Sequence, residues 1–190
     1  MRPQPITGLP MLIFRVTQKL ADKIKVAIPI ALPRAEDPLA DWTANLFVAD
    51  RNQYIIVTNT ASLYSVIFPG RGITSPEAFI DRTYEAMVAQ MLKEGHGEVY
   101  KERIIPVGGE VFFSKTGDRK VMGSMNDHVH CAKALFRYAD AAPQVVATRL
   151  NNTPMGALAY RYPCEALIKL ADLPQASPKR DNVIPFRRKT

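Results

Sequence analysis

Alternation of apolar and polar positions is clearest in residues 41–68 of the chain. Residues 42–49 alternate at period two, and two further apolar runs follow at 54–58 and 63–68, each after a short polar turn. Period-two alternation, β-branched residues and Asp or Asn at the breaks predict three consecutive antiparallel strands. Because both faces of these strands are largely apolar, we expect the sheet to be covered on both sides.

Apolar positions spaced by three and four residues predict two main helices. Ser75 is expected to cap the first, with Pro76 at its first position and Gly95 at its end. The second is predicted to begin at Ser124, with Asp127 completing a capping-box spacing in which Asp replaces the usual Glu or Gln. Their apolar stripes are Phe79, Ile80, Tyr84, Met87, Val88, Met91 and Leu92 in the first helix, and Val129, Ala132, Leu135, Phe136 and Ala139 in the second.

Shorter patterns complete the predicted fold. They are a strand at 12–16, a short helix after Thr17, a Pro-rich connector at 28–38, strands at 99–105 and 110–114, and helices at 143–150 and 163–170. Together these elements predict the α+β class. We expect a single domain with a mostly antiparallel, five- to six-stranded sheet, packed by two main helices plus short C-terminal helices.

Composition divides the chain into a domain and two flanking segments. Residues 1–10 contain three prolines without periodicity and are expected to be an irregular N-terminal extension, with Met11 an alternative to Met1 as the natural start. Residues 11–173 form the predicted domain, and 174–190 a basic, disordered tail. The tail carries much of the formal net charge of +7, through Lys179, Arg180, Arg187, Arg188 and Lys189. It is either a solvated end or a nonspecific nucleic-acid contact.

The remaining composition argues against several classes of protein. Hydrophobic residues make up 47% of the chain, which is enough for a core without metal or disulfides. Cys131 and Cys164 show no metal-ligand spacing, so we expect neither a metal nor a cofactor. Two cysteines without a pairing pattern fit a reducing, cytoplasmic setting. We also expect no membrane segment and no signal peptide.

Four short motifs occur in order along the chain. They are TQKL at 17–20, DWTANLF at 41–47, RKVMGSMND at 119–127 and NTPMGAL at 152–158. The chain resembles a bacterial family known only as a domain of unknown function, whose members read T-x-K-L, D-W-x-A-N-L, R-S-V-L-G-S-M-N-D and T-P-x-G. Lys120 departs from that pattern, in which a small residue is usual. The resemblance covers residues 11–173 and implies an intracellular protein of a bacterium or phage, without implying an activity.

The 119–128 segment holds the most suggestive polar residues. Arg119 and Lys120 precede the predicted helix start at Ser124, where backbone N–H groups and cations favour an anion. Asn126, Asp127 and His128 would lie in the first turn and line the same pocket. Alternatively, Ser124 and Asp127 only cap the helix and Asn126 pins a loop. The segment lacks the glycines of a phosphate-binding P-loop.

A second polar group lies within the predicted sheet. Asp41 stands at a strand start, where it can accept a hydrogen bond from a neighbouring backbone N–H. Asn45 is unusual inside an apolar strand, and a buried amide needs partners. It therefore either stitches a loop to the sheet or points into a polar pocket.

These residues support three functional hypotheses. The leading one is a non-enzymatic binding or regulatory protein of a bacterium or its mobile elements, recognising a protein or an anionic ligand through residues 119–128. The second is a small enzyme acting on a phosphorylated or nucleotide substrate, with Asp127 or His128 as acid–base group and Arg119 and Ser124 holding the anion. The third is nonspecific nucleic-acid binding through the tail. An enzyme predicts a concave pocket where the polar candidates converge, and a binding module predicts a flat or ridged surface; those candidates are Asp41, Asn45, Arg119, Asn126 and Asp127.

Overall fold

A computed structural model describes residues 11–27, 31–139 and 141–171. The predicted N-terminal extension and the cations of the basic tail lie outside the described residues. The strands are β1 (Met11–Val16), β2 (Asp41–Ala49), β3 (Asn52–Asn59), β4 (Ser65–Pro69) and β5 (Glu110–Lys115). The helices are α1 (Gln18–Ile24), α2 (Pro76–Lys93), the one-turn α3 (Gly97–Val99), α4 (Arg119–Ala139), α5 (Pro143–Asn151) and α6 (Pro163–Ala171).

The five strands form one mixed sheet in the order β4-β3-β2-β1-β5. The β2–β3–β4 meander is antiparallel, which confirms the three consecutive strands predicted from 41–68. β1 pairs in parallel with β2 on one side and with β5 on the other. The fold therefore belongs to the α+β class, as predicted, but its sheet is mixed and not mostly antiparallel. Parallel pairs need a crossover, and here the chain leaves β1 through α1 and returns to β5 only after α2.

Both faces of the sheet are covered, as expected. On the first face, alternate residues of all five strands pack against α2, α6 and the turns between α2 and β5; Phe14, Trp42 and Ile55 are fully buried there. On the second face, Phe47, Ile56 and Ile67 pack beneath α4 and α5. The predicted strand at 99–105 is wrong, because α3 and a turn of π-helix at Tyr100–Ile104 occupy that segment. A short apolar run does not by itself distinguish strand from helix.

The first main helix, α2, follows its sequence signals closely. The Ser75 hydroxyl accepts a hydrogen bond from the Ala78 N–H at 3.2 Å, and Pro76 occupies the first helical position. Past its end, Gly95 adopts a left-handed φ of 80° that L side chains rarely take. The predicted start and stop of α2 are thereby confirmed.

The second main helix, α4, begins at Arg119, five residues before the predicted start. Asp118 is its cap, since one carboxylate oxygen accepts from the N–H groups of Lys120 at 2.8 Å and Val121 at 3.2 Å. Ser124 is buried in the second turn, so the capping box predicted for Ser124 and Asp127 is wrong. The cause is the apolar stripe, which extends backward through Val121 and keeps the earlier residues helical.

Candidate functional site

A cavity of about 610 Å³ lies between the N-terminal end of α4 and residues 31–34 of the connector. Cationic side chains dominate its lining, and Asp118 is the one carboxylate that the described residues contribute to it. The lining residues are Arg15, Ala31, Leu32, Arg34, Thr60, Lys115, Gly117, Asp118, Arg119 and Lys120. Basic residues from β1, the connector, β5 and α4 thus converge on one concave surface.

A buried ion pair supports the cavity from below. The Arg15 guanidinium donates from Nε to Asp41 Oδ1 at 2.8 Å and from Nη2 to Asp41 Oδ2 at 2.7 Å. Only 6% of Arg15 and 2% of Asp41 are exposed. Burial alone would raise the pKa of Asp41. Hydrogen bonds from Arg15, from the Ala35 N–H and from Thr60, together with the Arg15 charge, outweigh burial and lower that pKa.

The same arginine fixes the connector to the sheet. Arg15 donates to the carbonyl oxygens of Leu32 at 2.9 Å and Pro33 at 2.7 Å. The Ser114 hydroxyl accepts from the Leu32 N–H at 2.9 Å, and Asp41 Oδ2 accepts from the Ala35 N–H at 3.1 Å. Residues 31–35 therefore form one wall of the cavity, and side chains of the sheet hold this wall through its backbone groups. Asp41 does accept the backbone N–H expected of it, but from the connector.

An ion pair between Arg34 and Asp118 joins this wall to the start of α4. Partial burial would raise the pKa of Asp118. The N–H groups of Val121 and Lys120 and the Arg34 guanidinium outweigh it, so the pKa lies below its ordinary value. Lys115, Arg119 and Lys120, by contrast, have no ion-pair partner among the described residues. The cavity thus carries an uncompensated positive charge.

The sequence-predicted residues of α4 do not all meet at this cavity. Arg119 and Lys120 line it. Ser124 and His128 are buried on the side of α4 that faces the sheet, and Asn126 and Asp127 are exposed on the side that faces away. The separation follows from the early start of α4, which places residues 124–128 in its second and third turns.

The two predicted sheet residues are both used structurally. Asp41 lies beneath the cavity in its pair with Arg15. Asn45 accepts a hydrogen bond at 3.0 Å from the Thr17 hydroxyl, immediately before α1. Asn45 therefore stitches a loop to the sheet, the first of its two expected arrangements. Of the five residues expected to converge in an enzyme, only Arg119 lines the cavity.

A serine–histidine contact lies under α4 near the other polar residues of this face. His128 Nδ1 is 3.0 Å from Ser65 Oγ, which is 2.8 Å from Thr58 Oγ1 and donates to the Leu63 carbonyl at 3.1 Å. His128 Nε2 has no hydrogen-bond partner among the described residues. Burial lowers the pKa of His128 to about 4, against a small opposing effect of Asp127. Because Ser65 is fully buried, a substrate cannot reach it, and the contact is structural.

Sequence reasoning missed four cavity residues, two from distant segments and two just before Arg119: Arg15, Arg34, Lys115 and Asp118. One signal was present. Arg15 interrupts the apolar strand LIFRV, and a charge buried in a strand needs a partner, just as Asn45 does. Arg34 and Lys115 carried no local signal, since they are exposed charges in the connector and at the end of β5, whereas Asp118 is a half-buried cap residue.

Two further properties of the described residues concern metal binding and membrane spans. None of their His, Cys, Asp and Glu side chains form a group of three that could hold a metal ion. In the same residues, no helix combines the length and apolar character required to span a bilayer.

Comparison with known proteins places the chain in a family. No curated protein matches it significantly. The profile of a family described as Domain of unknown function (DUF6933) matches residues 13–166, most of the chain. This match confirms the resemblance inferred from the four motifs at the level of the family. The chain therefore belongs to the DUF6933 family of domains of unknown function.

Proposed function

We propose that the protein is a non-enzymatic binding protein that holds a small anionic ligand in the cavity at the start of α4. The observation that carries this proposal is the set of three cations, Lys115, Arg119 and Lys120, that face the cavity without an ion-pair partner among the described residues. Grouping like charges around a concave surface is unfavourable in the empty protein, and a bound anion relieves it.

The cavity is an open depression and not an enclosed pocket, and its volume and position suit a small ligand. Its volume of about 610 Å³ falls within the usual range of small-molecule sites. The positive end of the α4 dipole adds to the side-chain charge. Asp118 already satisfies the N–H groups of Lys120 and Val121. The ligand would therefore be held by ammonium and guanidinium groups, which suit phosphate and carboxylate oxygens.

An acidic segment of a partner protein, with a regulatory consequence, is the second candidate within this hypothesis. Its carboxylates would meet the same exposed cations. The volume of the depression supports the small ligand more strongly.

The enzymatic alternative has less support. It required Asp127 or His128 as an acid–base group beside Arg119, and neither residue lines the cavity. The nearest carboxylates, Asp41 and Asp118, are paired with arginines and have lowered pKa values. A carboxylate with a lowered pKa is a weak general base at neutral pH.

A cytoplasmic location and nucleic-acid binding by the tail also remain proposals. Both cysteines are free thiols, which supports a reducing compartment such as the bacterial cytoplasm. Nucleic-acid binding through the tail concerns residues outside the described part of the chain. If the tail binds DNA, the chain without residues 177–190 should no longer retard DNA in electrophoresis at low salt. Unchanged retardation of DNA would contradict that role.

Inorganic pyrophosphate is a suitable first probe of the cavity. Isothermal titration calorimetry should detect its binding to the full chain at low salt, with an affinity that falls as salt is added. Pyrophosphate at about one hundred times its dissociation constant should raise the free energy of unfolding by about 2.7 kcal/mol. The double variant Lys115→Gln/Lys120→Gln should lose both effects.

The control is a double variant with the same change in charge elsewhere. Lys93 and Lys169 are exposed near the ends of α2 and α6 and do not line the cavity. Lys93→Gln/Lys169→Gln should bind pyrophosphate as the unmodified chain does. Equal loss in both double variants would show that net charge, and not the cavity, attracts the anion. Absence of binding to the unmodified chain at low salt would contradict the proposal.

A further inference from the structure

Positive charge is concentrated in one layer of the molecule. Residues 115–162, which include α4, α5 and the loop toward α6, contain seven Lys and Arg against three Asp. Residues 11–114, which form most of the sheet and its other covering layer, contain eleven Lys and Arg against twelve Asp and Glu. The helical layer is therefore positively charged, whereas the remainder of the described domain is close to neutral.

A line of hydrogen-bond donors runs along the outer side of α4. Residues separated by three, four, seven or eighteen positions lie on one side of an α-helix. All members of this line are exposed, and Lys133 and Arg137 border a surface depression together with Asp50 and Arg51 of the β2–β3 turn. Because each residue advances a helix by about 1.5 Å, its two ends stand about 27 Å apart. The line consists of Arg119, Asn126, His130, Lys133 and Arg137.

The exposed aromatic side chains of the described residues all fall within the same stretch of the chain, 115–162. They are Tyr138, Tyr160 and Tyr162, of which the first two are 80% and 79% exposed. The Arg137 guanidinium lies 5.7 Å from the centre of the Tyr138 ring, so one ring face is already next to a cation of the line. An exposed tyrosine ring beside cations is a surface on which a nucleic-acid base can stack.

The backbone at Tyr160 is strained, and the Tyr160 ring is exposed. Ala159 and Tyr160 adopt consecutive left-handed φ values of 53° and 61°, which non-glycine residues rarely do. Hydrogen bonds from the Tyr160 N–H to the Met155 carbonyl at 2.9 Å, and from the Met155 N–H to the Arg161 carbonyl at 3.1 Å, close the loop. Met155 packs with Val121 in the first turn of α4. The loop that carries the Tyr160 ring is thus packed against the first turn of α4, which contains Arg119 and Lys120. Backbone strain of this kind is concentrated at functional sites.

From these observations we propose that the outer surface of α4 and the loop around Tyr160 bind single-stranded nucleic acid. The phosphates lie along Arg119, Lys133 and Arg137, and bases stack on Tyr138 and Tyr160. Cations alone would serve any polyanion, but exposed rings favour a strand whose base faces are accessible. This inference does not rest on the anion cavity, although Arg119 lies at the edge of both surfaces.

Fluorescence anisotropy with a labelled oligothymidylate of about 20 nucleotides tests the line of cations in the full chain. The logarithm of the binding constant should fall linearly with the logarithm of salt concentration. For single strands, each cation removed reduces that slope by about 0.7. Lys133→Gln/Arg137→Gln should therefore reduce it by about 1.4, and Lys93→Gln/Lys169→Gln should leave it unchanged. Equal slopes for the two double variants would overturn the proposal.

The stacking contribution is tested by changing the rings and not the charge. Tyr138→Ala/Tyr160→Asn should weaken oligothymidylate binding at least about tenfold with an unchanged salt slope. Asn is chosen at 160 because it tolerates the left-handed backbone. Tyr160→Phe, which keeps the ring, should bind as the unmodified chain does. If the ringless double variant binds normally, or if a duplex of equal length binds as tightly as the single strand, the proposal is wrong.

A third set of measurements separates this surface from the tail and from the cavity. Replacing the tail cations by Gln should lower affinity while keeping the difference between Lys133→Gln/Arg137→Gln and its control. Loss of that difference would assign all binding to the tail and overturn the proposal. Pyrophosphate titration of Lys133→Gln/Arg137→Gln should remain normal, because neither residue lines the cavity. The two sites can therefore fail independently; the tail cations changed are Lys179, Arg180, Arg187, Arg188 and Lys189.

Discussion

The same five strands form both faces of the sheet, but the side chains buried on the two faces differ in polarity. The face under α2 and α6 is almost entirely apolar, with Phe14, Trp42 and Ile55 fully buried. The face under α4 and α5 is apolar at one end but carries a buried polar row at the other. That row consists of Ser114, Arg15, Asp41, Thr43, Thr58 and Ser65, and α4 adds His128 from above.

The difference shows that the apolar face mainly stabilises the fold, whereas the polar row mainly positions the residues around the cavity. The apolar face gains its free energy mainly from the burial of apolar surface, which involves no change of charge. The polar row gains little net free energy, since desolvation offsets its hydrogen bonds. Its hydrogen bonds instead fix the connector beside the start of α4 and so give the cavity its wall. The predictions below separate these two roles.

The largest effect should come from breaking the buried ion pair. Asp41→Ala removes the partner of Arg15, which is almost fully buried. Loss of one partner of a buried pair costs about 3–5 kcal/mol, because the remaining charge is left uncompensated. Urea denaturation should show that decrease in the free energy of unfolding. A decrease below about 1 kcal/mol would mean that the charge of Arg15 is compensated without Asp41.

The double variant Arg15→Met/Asp41→Leu distinguishes the charge from its positioning role. Replacing both members of a buried pair with apolar residues is often neutral or stabilising. We therefore expect most of the lost stability to return. Because residues 31–35 would lose the three hydrogen bonds that Arg15 and Asp41 make with them, pyrophosphate binding should be weaker than in the unmodified chain.

Acid should destabilise the polar row through His128. The unfolded chain takes up a proton at this residue as pH falls below about 6.5, whereas the folded chain does so only near 4. The stability associated with neutral His128 is thus present above pH 6.5 and is lost as pH falls through 4. Its size is about 3 kcal/mol. Thermal unfolding measured from pH 7 to pH 4 should show this loss.

The matched variant for this titration is His128→Gln, which stays neutral at every pH used. Its stability should decline less between pH 6.5 and pH 4, and the difference from the unmodified chain isolates His128 from the carboxylates. Phe79→Ala on the apolar face should lower stability by a similar amount at every pH. A pH dependence in His128→Gln equal to that of the unmodified chain would assign the acid sensitivity to other groups.

The sequence predicted the apolar face better than the polar one for a physical reason. The start of α2 was readable because Ser75 and Pro76 act on adjacent backbone groups. The start of α4 was not, since Asp118 and Ser124 both have cap chemistry and only the packing of Val121 decides between them. Parallel pairing of β1 depends on crossovers far along the chain and leaves no local pattern.

The same limit applies to the candidate site. Arg119 and Lys120 were predicted because they adjoin a helix start. Arg15, Arg34 and Lys115 join them only after β1 lies beside β5 and the connector folds back. The predicted strand at 99–105 failed because Val99 and Ile104 are buried by helical turns as readily as by a strand.

A smaller effect is expected at the caps of the two main helices. Ser75→Ala and Asp118→Ala should each lower the free energy of unfolding by about 1 kcal/mol, the usual value of an N-cap. Asp118 also pairs with exposed Arg34, but a surface pair adds little. Asp118→Ala should strengthen pyrophosphate binding by removing the one carboxylate that the described part of the chain places in the cavity, and Ser75→Ala should leave it unchanged. Weaker pyrophosphate binding in Asp118→Ala would show that the cap orients the cavity.

The smallest effect on stability should accompany the largest effect on binding. Lys115→Gln/Lys120→Gln changes two exposed side chains that make no ion pair among the described residues, so its free energy of unfolding should stay within about 0.5 kcal/mol of the unmodified chain. At low salt the variant should be slightly the more stable, because repulsion among the cavity cations is reduced, and added salt should remove the difference. Urea denaturation at two salt concentrations measures both effects. A marked loss of stability would mean that these lysines support the fold, in which case their loss of pyrophosphate binding would no longer distinguish a built site from a damaged one.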